Sequence, residues 1–289
     1  MTQRTWFITG TSSGFGRSLA EAVIKHGDKV VATARKVRDI ESLKALAPDR
    51  VLTLTLDVHN EHHAEKAVEE AISTFGSIDV LVNNAGYGLL GSFEDVTDEQ
   101  IRNQFETNVF GLMNTTRAVL PVLRKQKSGH IINMSSAAGV TTFPGFSVYC
   151  ASKFAVEGLS LGLAQELEPL GIKMTILEPG AFRTKWASVT LEQAPTDDMN
   201  EYKETAGGIR SWLTSVNGSQ PGDPDRAANI IIRLVNSPNP PLQLVLGEQA
   251  VQDVKDRLGT HLNDIEDWSD VSVSADFEKL YPVDLPIQK

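Results

Sequence analysis

A short apolar run, Thr5-Trp-Phe-Ile-Thr9, opens directly into Thr9-Gly-Thr-Ser-Ser-Gly-Phe-Gly16, and Leu19, Ala20, Val23 and Ile24 follow at helical spacing. A strand, a glycine-rich turn and a helix start leave free backbone N–H groups and the positive helix end facing one point, a site built for a phosphate. Gly10 permits the tight turn, Gly14 lets the backbone approach the anion, and Gly16 lets helix and strand pack closely. Ser12 and Ser13 offer hydroxyl donors that could join a cation after the second strand on a 2′-phosphate. The spacing is G-x-x-x-G-x-G rather than the commoner G-x-G-x-x-G.

The rest of the chain repeats the alternation. Apolar runs at Lys29-Val-Val-Ala-Thr-Ala34, Val51 to Leu56, Ile78 to Val82, His130 to Met134, Ile172 to Leu177 and Leu242 to Leu246 are separated by helical patterns, among them about 61–75 and 98–125. This predicts an α/β fold: a Rossmann-type doubly wound parallel sheet of about seven strands, order 3-2-1-4-5-6-7, with helices on both faces. Ligands on such sheets bind at the carboxyl ends of the strands. Every conspicuous motif falls at such an end: the glycine turn, Asp57-Val58, Asn83-Asn84-Ala85-Gly86, Ser135-Ser136 and Glu178-Pro179-Gly180.

The residue after the second strand selects a dinucleotide. An acid there accepts from a ribose 2′-OH, and a cation welcomes a 2′-phosphate. Ala34 is followed by Arg35 with no carboxylate, which favours NADP over NAD, unless Arg35 is only a solvated loop charge. Asp57 can accept from an adenine amino group or cap the next helix. Asn108 falls in mid-helix, where Asn is a poor helix former and invites a reason. His59, His62 and His63 are best read as a solvated helix start, and no metal is expected.

Tyr149-Cys-Ala-Ser-Lys153 puts a phenol and an amine four apart on one helix face. A free phenol has a pKa near ~10 and transfers protons poorly at neutral pH. A nearby ammonium favours the phenolate and brings that value toward the working range. The pair is therefore a plausible acid/base device for an alcohol or ketone, although Tyr and Lys at this spacing are more often a surface pair. Cys150 has no evident base beside it and reads as a small packing residue.

The chain of 289 residues is expected to form one domain, 1–289, with a looser insertion at 181–221 and a charged C-terminal extension at 248–289. The insertion holds Phe182, Trp186, Met199, Tyr202 and Trp212 and reads equally as a substrate wall or as docked surface helices. One cysteine excludes an intrachain disulfide and suits a reducing cytoplasm. A net charge of −10 argues against nucleic acid or an anionic membrane as partner, and no run is long enough for a membrane span.

Thr9-Gly-x-x-x-Gly-x-Gly16, Asn83-Asn-Ala-Gly86, Asn108, Ser136, Tyr149-x-x-x-Lys153 and Pro179-Gly-x-x-x-Thr184, in this order, resemble the short-chain dehydrogenase/reductase superfamily over about residues 4–247. Within it the chain looks most like NADP-preferring 17β-hydroxysteroid dehydrogenase-like and carbonyl reductase-like members. The resemblance implies that Tyr149 is the general acid in reduction and the base in oxidation. Lys153 would lower its pKa and bind the nicotinamide ribose, and Ser136 would donate to the substrate oxygen. Asn108 would hold a water linking Lys153 to solvent. Gly10, Gly14 and Gly16 would take the pyrophosphate, beside Phe15, where the family often has Ile. Asp57, with Val58, would take the adenine, and Asn84, Ala85 and Gly86 the adenine ribose region. Pro179, Gly180 and Thr184 would flank the nicotinamide amide.

The expectation is an NADP(H)-dependent oxidoreductase interconverting a secondary alcohol and a ketone or aldehyde, with an apolar or aromatic substrate suggested by Phe143, Phe146 and the insertion. NAD(H) is the less favoured cofactor, and a homo-oligomer is expected. The alternative is a non-catalytic NADP-binding sensor, although a sensor has no need of Ser136, Tyr149 and Lys153 together.

Overall fold

The computed structural model describes residues 3–194 and 200–277; Met199 of the insertion and the last residues of the C-terminal extension lie outside them. Seven strands form one parallel sheet: β1 (Thr5–Ile8), β2 (Lys29–Ala34), β3 (Val51–Thr55), β4 (Val80–Asn83), β6 (Gly129–Met134), β7 (Ile172–Pro179) and β9 (Gln243–Leu246). The order β3-β2-β1-β4-β6-β7-β9 is the expected 3-2-1-4-5-6-7 once two short strands are set aside. These are β5 (Gly88–Leu90) and β8 (Leu191–Gln193), which pair with each other in parallel, Gly88 opposite Leu191.

The helices are α1 (Gly14–His26), α2 (Glu41–Leu46), α3 (Glu61–Phe75), α4 (Asp98–Phe105), α5 (Gly111–Gln126), α6 (Ser147–Leu167), α7 (Ala206–Val216), α8 (Pro224–Val235), α9 (Glu248–Asp267) and α10 (Ser269–Val273). Strands buried on both faces need apolar residues in succession, and alternate side chains feed two cores. Trp6, Ile8, Val30, Ala32, Val80, Val82 and Ile132 enter one, with Leu19, Val23, Ile231 and Ile232 of α1 and α8. Phe7, Val31, Leu81 and Ile131 enter the other, with Ala64, Val68, Val119 and Leu123 of α3 and α5.

Local chemistry sets the helix ends. Thr97 and Gln100 form a reciprocal capping box on α4. Asp223 caps α8 ahead of Pro224, as its sequence position suggested. Gly27 and Gly76, both left-handed, close α1 and α3.

One expectation is corrected. The single helix expected over about 98–125 is two helices joined by a π-helical turn at Glu106–Phe110. Between Ser136 and Tyr149 the chain makes a 3-10 turn at Ala137–Gly139 and starts α6 at Ser147. The charged C-terminal extension begins as α9, which leaves the body after Ala250 and Val254 pack on Ala137, and most of its length is exposed.

Candidate active site

The glycine turn is a cradle held open by its surroundings. Gly10 and Gly14 have φ of 70° and 57°, the left-handed region that a Cβ disfavours. A Cβ on Gly16 would lie 2.4 Å from both the Gly10 carbonyl oxygen and Asn84 Nδ2. Asn84 Nδ2 donates to the carbonyls of Thr9 (2.8 Å) and Gly10 (3.0 Å), and Thr9 Oγ1 accepts from the N–H groups of Asn84 and Ala85, 2.9 Å each. The Asn84 amide is thus committed to holding the turn. Thr9, which does the reciprocal work, has only its place between strand and glycine to mark it in the sequence.

Ser13 is the extended N-cap residue of α1, yet its hydroxyl makes no cap bond and no acid stands in the first turn. The free N–H groups and positive end of α1 remain for an anion. Phe15 stacks tilted on Phe182, ring centres 4.8 Å apart, and Ser12 is exposed beside it in sequence. A Cβ on Gly14 would sit 3.6 Å from Thr184 Cβ, so Thr184 borders the cradle from the far side of the fold. These features fit the phosphates of a dinucleotide: a glycine cradle that Cβ atoms would fill, below a helix end with no anion of its own.

Arg35 is exposed immediately after β2 and has no ion pair or hydrogen bond among the described residues. Asp57 does not cap α3. Its Oδ1 accepts from His59 N (3.2 Å), while Asn60 caps the helix by accepting from His62 N and His63 N. Val58 is buried, and a Cβ on Gly111 would lie 2.5 Å from Val58 Cγ2, so its side chain is packing. Gly180 is held against α9, where a Cβ would lie 2.8 Å from Ala250 Cβ, and its N–H donates to Leu246 O.

Asn108 sits in the π-helical turn, a distortion often found at functional sites. The turn rotates it inward. Its Oδ1 accepts from Tyr87 N and its Nδ2 donates to Tyr87 O, both 3.0 Å, and Nδ2 also reaches Ser152 Oγ (3.1 Å). A Cβ on Gly86 would lie 3.0 Å from Asn108 Oδ1 and 3.8 Å from Lys153 Nζ, so Gly86 keeps the space between them open.

Tyr149 and Lys153 share one face of α6 and are 8% and 7% exposed. Lys153 Nζ lies 5.8 Å from the Tyr149 ring centre and donates to Met134 O (2.7 Å). The Ser136 hydroxyl donates to Pro179 O (3.3 Å), accepts from Ala138 N (3.1 Å), and stands beside the phenol, where it favours the ionised form. The expected lowering of the phenol is reversed. Burial pushes Tyr149 up to about 12, more than Ser136 offsets. Burial also pulls Lys153 down to about 8 against the opposing charge of Glu157. Both shifts have one cause, the cost of charging a desolvated group. At neutral pH the phenol therefore holds its proton and the lysine is mostly an ammonium.

The wall over Tyr149 was only partly legible in the sequence. Trp186 and Phe146 close on the phenol, with ring centres 5.6 and 5.8 Å from it. Leu90, Phe143, Leu191, Ile209 and Leu213 pack into the same apolar cluster. Within the insertion, β8 pairs with β5, and α7 packs Ile209 and Leu213 on the cluster that holds Tyr149. A Cβ on Gly88 would lie 2.2 Å from Trp186 Cζ2, so that glycine makes room for the indole. Cys150 is buried, faces a shallow apolar cleft with Phe143, Pro144 and Phe154, and has its thiol pushed up by burial, which removes thiolate character.

Among the described residues no three His, Cys, Asp or Glu side chains are gathered to hold a metal, and no helix is long and apolar enough to cross a membrane.

The short chain dehydrogenase family matches residues 4–194. Oxidoreductase BOA17 of Botryotinia fuckeliana (strain B05.10) is 39% identical over 273 residues, covering 94% of this chain and 99% of that protein. A 3-ketodihydrosphingosine reductase of Bacteroides thetaiotaomicron is 37% identical over 241 residues, covering 83% and 86%. A short-chain dehydrogenase structure from Streptomyces avermitilis superposes with a TM-score of 0.89 at 39% identity, covering 96% of this chain and 100% of that one. A Burkholderia phymatum relative in complex with NAD (TM-score 0.76, 25% identity, 88% and 92% covered) and a serine dehydrogenase complexed with NADP+ (0.72, 28%, 84% and 94%) share the fold. The matched family, the sheet order and the residues at its carboxyl edge agree: the chain belongs to the short-chain dehydrogenases, oxidoreductases whose solved relatives bind nicotinamide dinucleotides.

Proposed function

We propose that this chain is an NADP(H)-dependent carbonyl reductase acting on apolar ketones or aldehydes, with Tyr149 as the proton donor. The observation that carries this reading is the protonated, buried phenol of Tyr149 packed in an apolar cluster, with Ser136 and Lys153 beside it. A bound reduced nicotinamide supplies a hydride to the carbonyl carbon. The residues of the chain manage the oxygen. Ser136 hydrogen-bonds it, and Tyr149 gives it a proton as negative charge builds. The Lys153 ammonium lies close enough to stabilise the phenolate that remains, and Asn108 and Gly86 keep open the path by which a water would return the proton. In oxidation the same groups run in reverse.

Arg35 supports NADP, because its guanidinium is free at the point where a 2′-phosphate would lie. The glycine cradle and the Ser13 hydroxyl would take the pyrophosphate, and Asp57 the adenine edge. Pro179, Gly180 and Thr184 would border the nicotinamide. The apolar and aromatic side chains around Tyr149 suit a hydrocarbon or aromatic ketone, and one relative is named a 3-ketodihydrosphingosine reductase. Exposed Phe110 and Phe154, beside α5 and on α6, favour self-association through that face.

The test is loss of NADPH absorbance with a panel of aromatic and long-chain ketones, run beside NADH and beside Tyr149→Phe. Turnover that depends on Tyr149 is the expected result. Tight NADPH binding with no turnover across the panel would replace the enzyme reading with that of a sensor.

A further inference from the structure

α9 starts on the body of the protein, where Ala250 and Val254 pack, and then projects: every residue from Lys255 to Asp267 is exposed. Leu258, Leu262 and Ile265 are each more than half exposed, and so is Trp268 at the helix end. Spacings of four and three put the first three in one stripe, with Val251 in line seven residues before Leu258. A monomer seldom leaves a continuous apolar stripe bare. Gly259 is a second oddity. A glycine inside an exposed helix costs about 1 kcal/mol relative to alanine. Nothing of its own chain lies within 4 Å of where its Cβ would stand, so no contact within the protomer asks for it.

The charges beside the stripe indicate what covers it. At 3.6 residues per turn, Lys255 and Glu266 fall on one flank, and Arg257 and Asp264 on the other. None of the four has an ion pair among the described residues. Two copies of the helix laid antiparallel bring like flanks together with positions reversed. Lys255 then meets the second copy's Glu266, and Arg257 meets the second copy's Asp264. Both pairings are symmetric about the same point, the peptide between Thr260 and His261. Leu258 and Leu262 straddle that point and face each other across the axis, and Gly259 beside it removes bulk where the helices cross. Laid parallel, the flanks exchange: Lys255 would face Arg257 and Glu266 would face Asp264, like charge against like. A lipid surface is disfavoured, since α9 carries six acids against two bases and helices that lie on membranes are rich in Lys and Arg.

We propose that α9 is a self-association helix, its apolar stripe covered by α9 of a second copy of this chain running antiparallel about Thr260 and His261. The helix lies beyond residues 4–194, which match the family, and away from the face of Phe110 and Phe154. The contact is therefore additional to any made through that face, and it owes nothing to the chemistry of Tyr149.

The test is the mass of the full-length protein by sedimentation at micromolar concentrations, with circular dichroism as the check on folding. Leu262→Glu places a charge in the stripe. Lys255→Glu combined with Arg257→Glu leaves only acids on both flanks. All three positions are exposed, and either variant should halve the mass of the wild-type assembly, so one suffices if the other does not fold. Exchanging all four charges, with Asp264→Lys and Glu266→Lys added to that pair, restores opposite charges across an antiparallel contact and should recover the wild-type mass. A wild type that is monomeric, or a mass that neither variant changes, overturns the proposal. A mass that is halved by the first variants but not recovered by the fourfold exchange overturns the antiparallel register. A chain ended after Phe277 should keep the wild-type mass; a halved mass there would assign the contact to residues 278–289 and overturn the role of α9.

Discussion

The proton on Tyr149 is held by burial, and that single circumstance orders the behaviour of the neighbouring residues. With the phenol pushed up to about 12 and Lys153 pulled down to about 8, the folded chain is in its donating form at neutral pH. Reduction should therefore be sustained across the neutral range and fall as pH rises past about 8, where the ammonium is lost; a pH profile of kcat checks this. Tyr149→Phe keeps the ring that packs on Phe146 and Trp186 but has nothing to donate. It should cost about 10²–10⁴-fold in kcat while the circular dichroism spectrum is unchanged. Arg35→Ala removes a charge-assisted contact worth about 1.5–3 kcal/mol, so the preference for NADPH over NADH should fall by about 10–100-fold. An unmoved preference would dismiss Arg35 as the 2′-phosphate partner. At this scale the sequence was informative about position and silent about environment. Spacing alone placed Tyr149 and Lys153 on one helix face, but whether burial or the ammonium would dominate the phenol depends on Phe146, Trp186 and Leu90, which arrive from three separate segments.

Elements are read from the sequence where the chemistry is local. Asp223-Pro224 announced α8, and the glycines announced the cradle, because caps and turns depend on a few adjacent residues. The π-helical turn was not legible, since an extra residue in a helix leaves no composition signal; only the awkward Asn108 hinted at it. Its reason is tertiary: the bulge turns Asn108 onto both backbone groups of Tyr87. The strand–turn–helix element has little tolerance. Gly16→Ala would put a Cβ 2.4 Å from the Gly10 carbonyl oxygen, and should destabilise the protein by about 1–3 kcal/mol and weaken dinucleotide binding, as thermal melts with and without NADPH would show. The insertion's role was ambiguous for a similar reason, because the three residues of β8 become a strand only against β5. Trp186→Ala strips an indole from the apolar cluster over Tyr149. KM for aromatic ketones should rise by about tenfold, with small polar carbonyls little affected.

For the molecule as a whole, the doubly wound order followed from the alternation of apolar runs and helical patterns, since parallel strands buried on both faces leave few other topologies. Buried ionisable groups away from the site were not visible that way. His130 in β6 is pulled down to about 4, by burial first and then by Lys173 and Arg4. The unfolded chain binds a proton there from about 6.5, so the stability held by neutral His130 is complete above that value and is lost as pH falls toward 4, by roughly 3 kcal/mol. Thermal melts over that window should show the decline, and His130→Gln should flatten it.

The parallel pairing of Gly88 with Leu191 has a consequence for the order in which the molecule comes together. The glycine turn is braced by Thr9, Asn84 and Ala85, with Thr184 only at its border, whereas the cluster above Tyr149 needs a segment about a hundred positions further along, and bringing distant segments together is entropically slow. A chain emerging from the ribosome, or refolding from denaturant, would regain its grip on a dinucleotide before it could shelter anything to reduce.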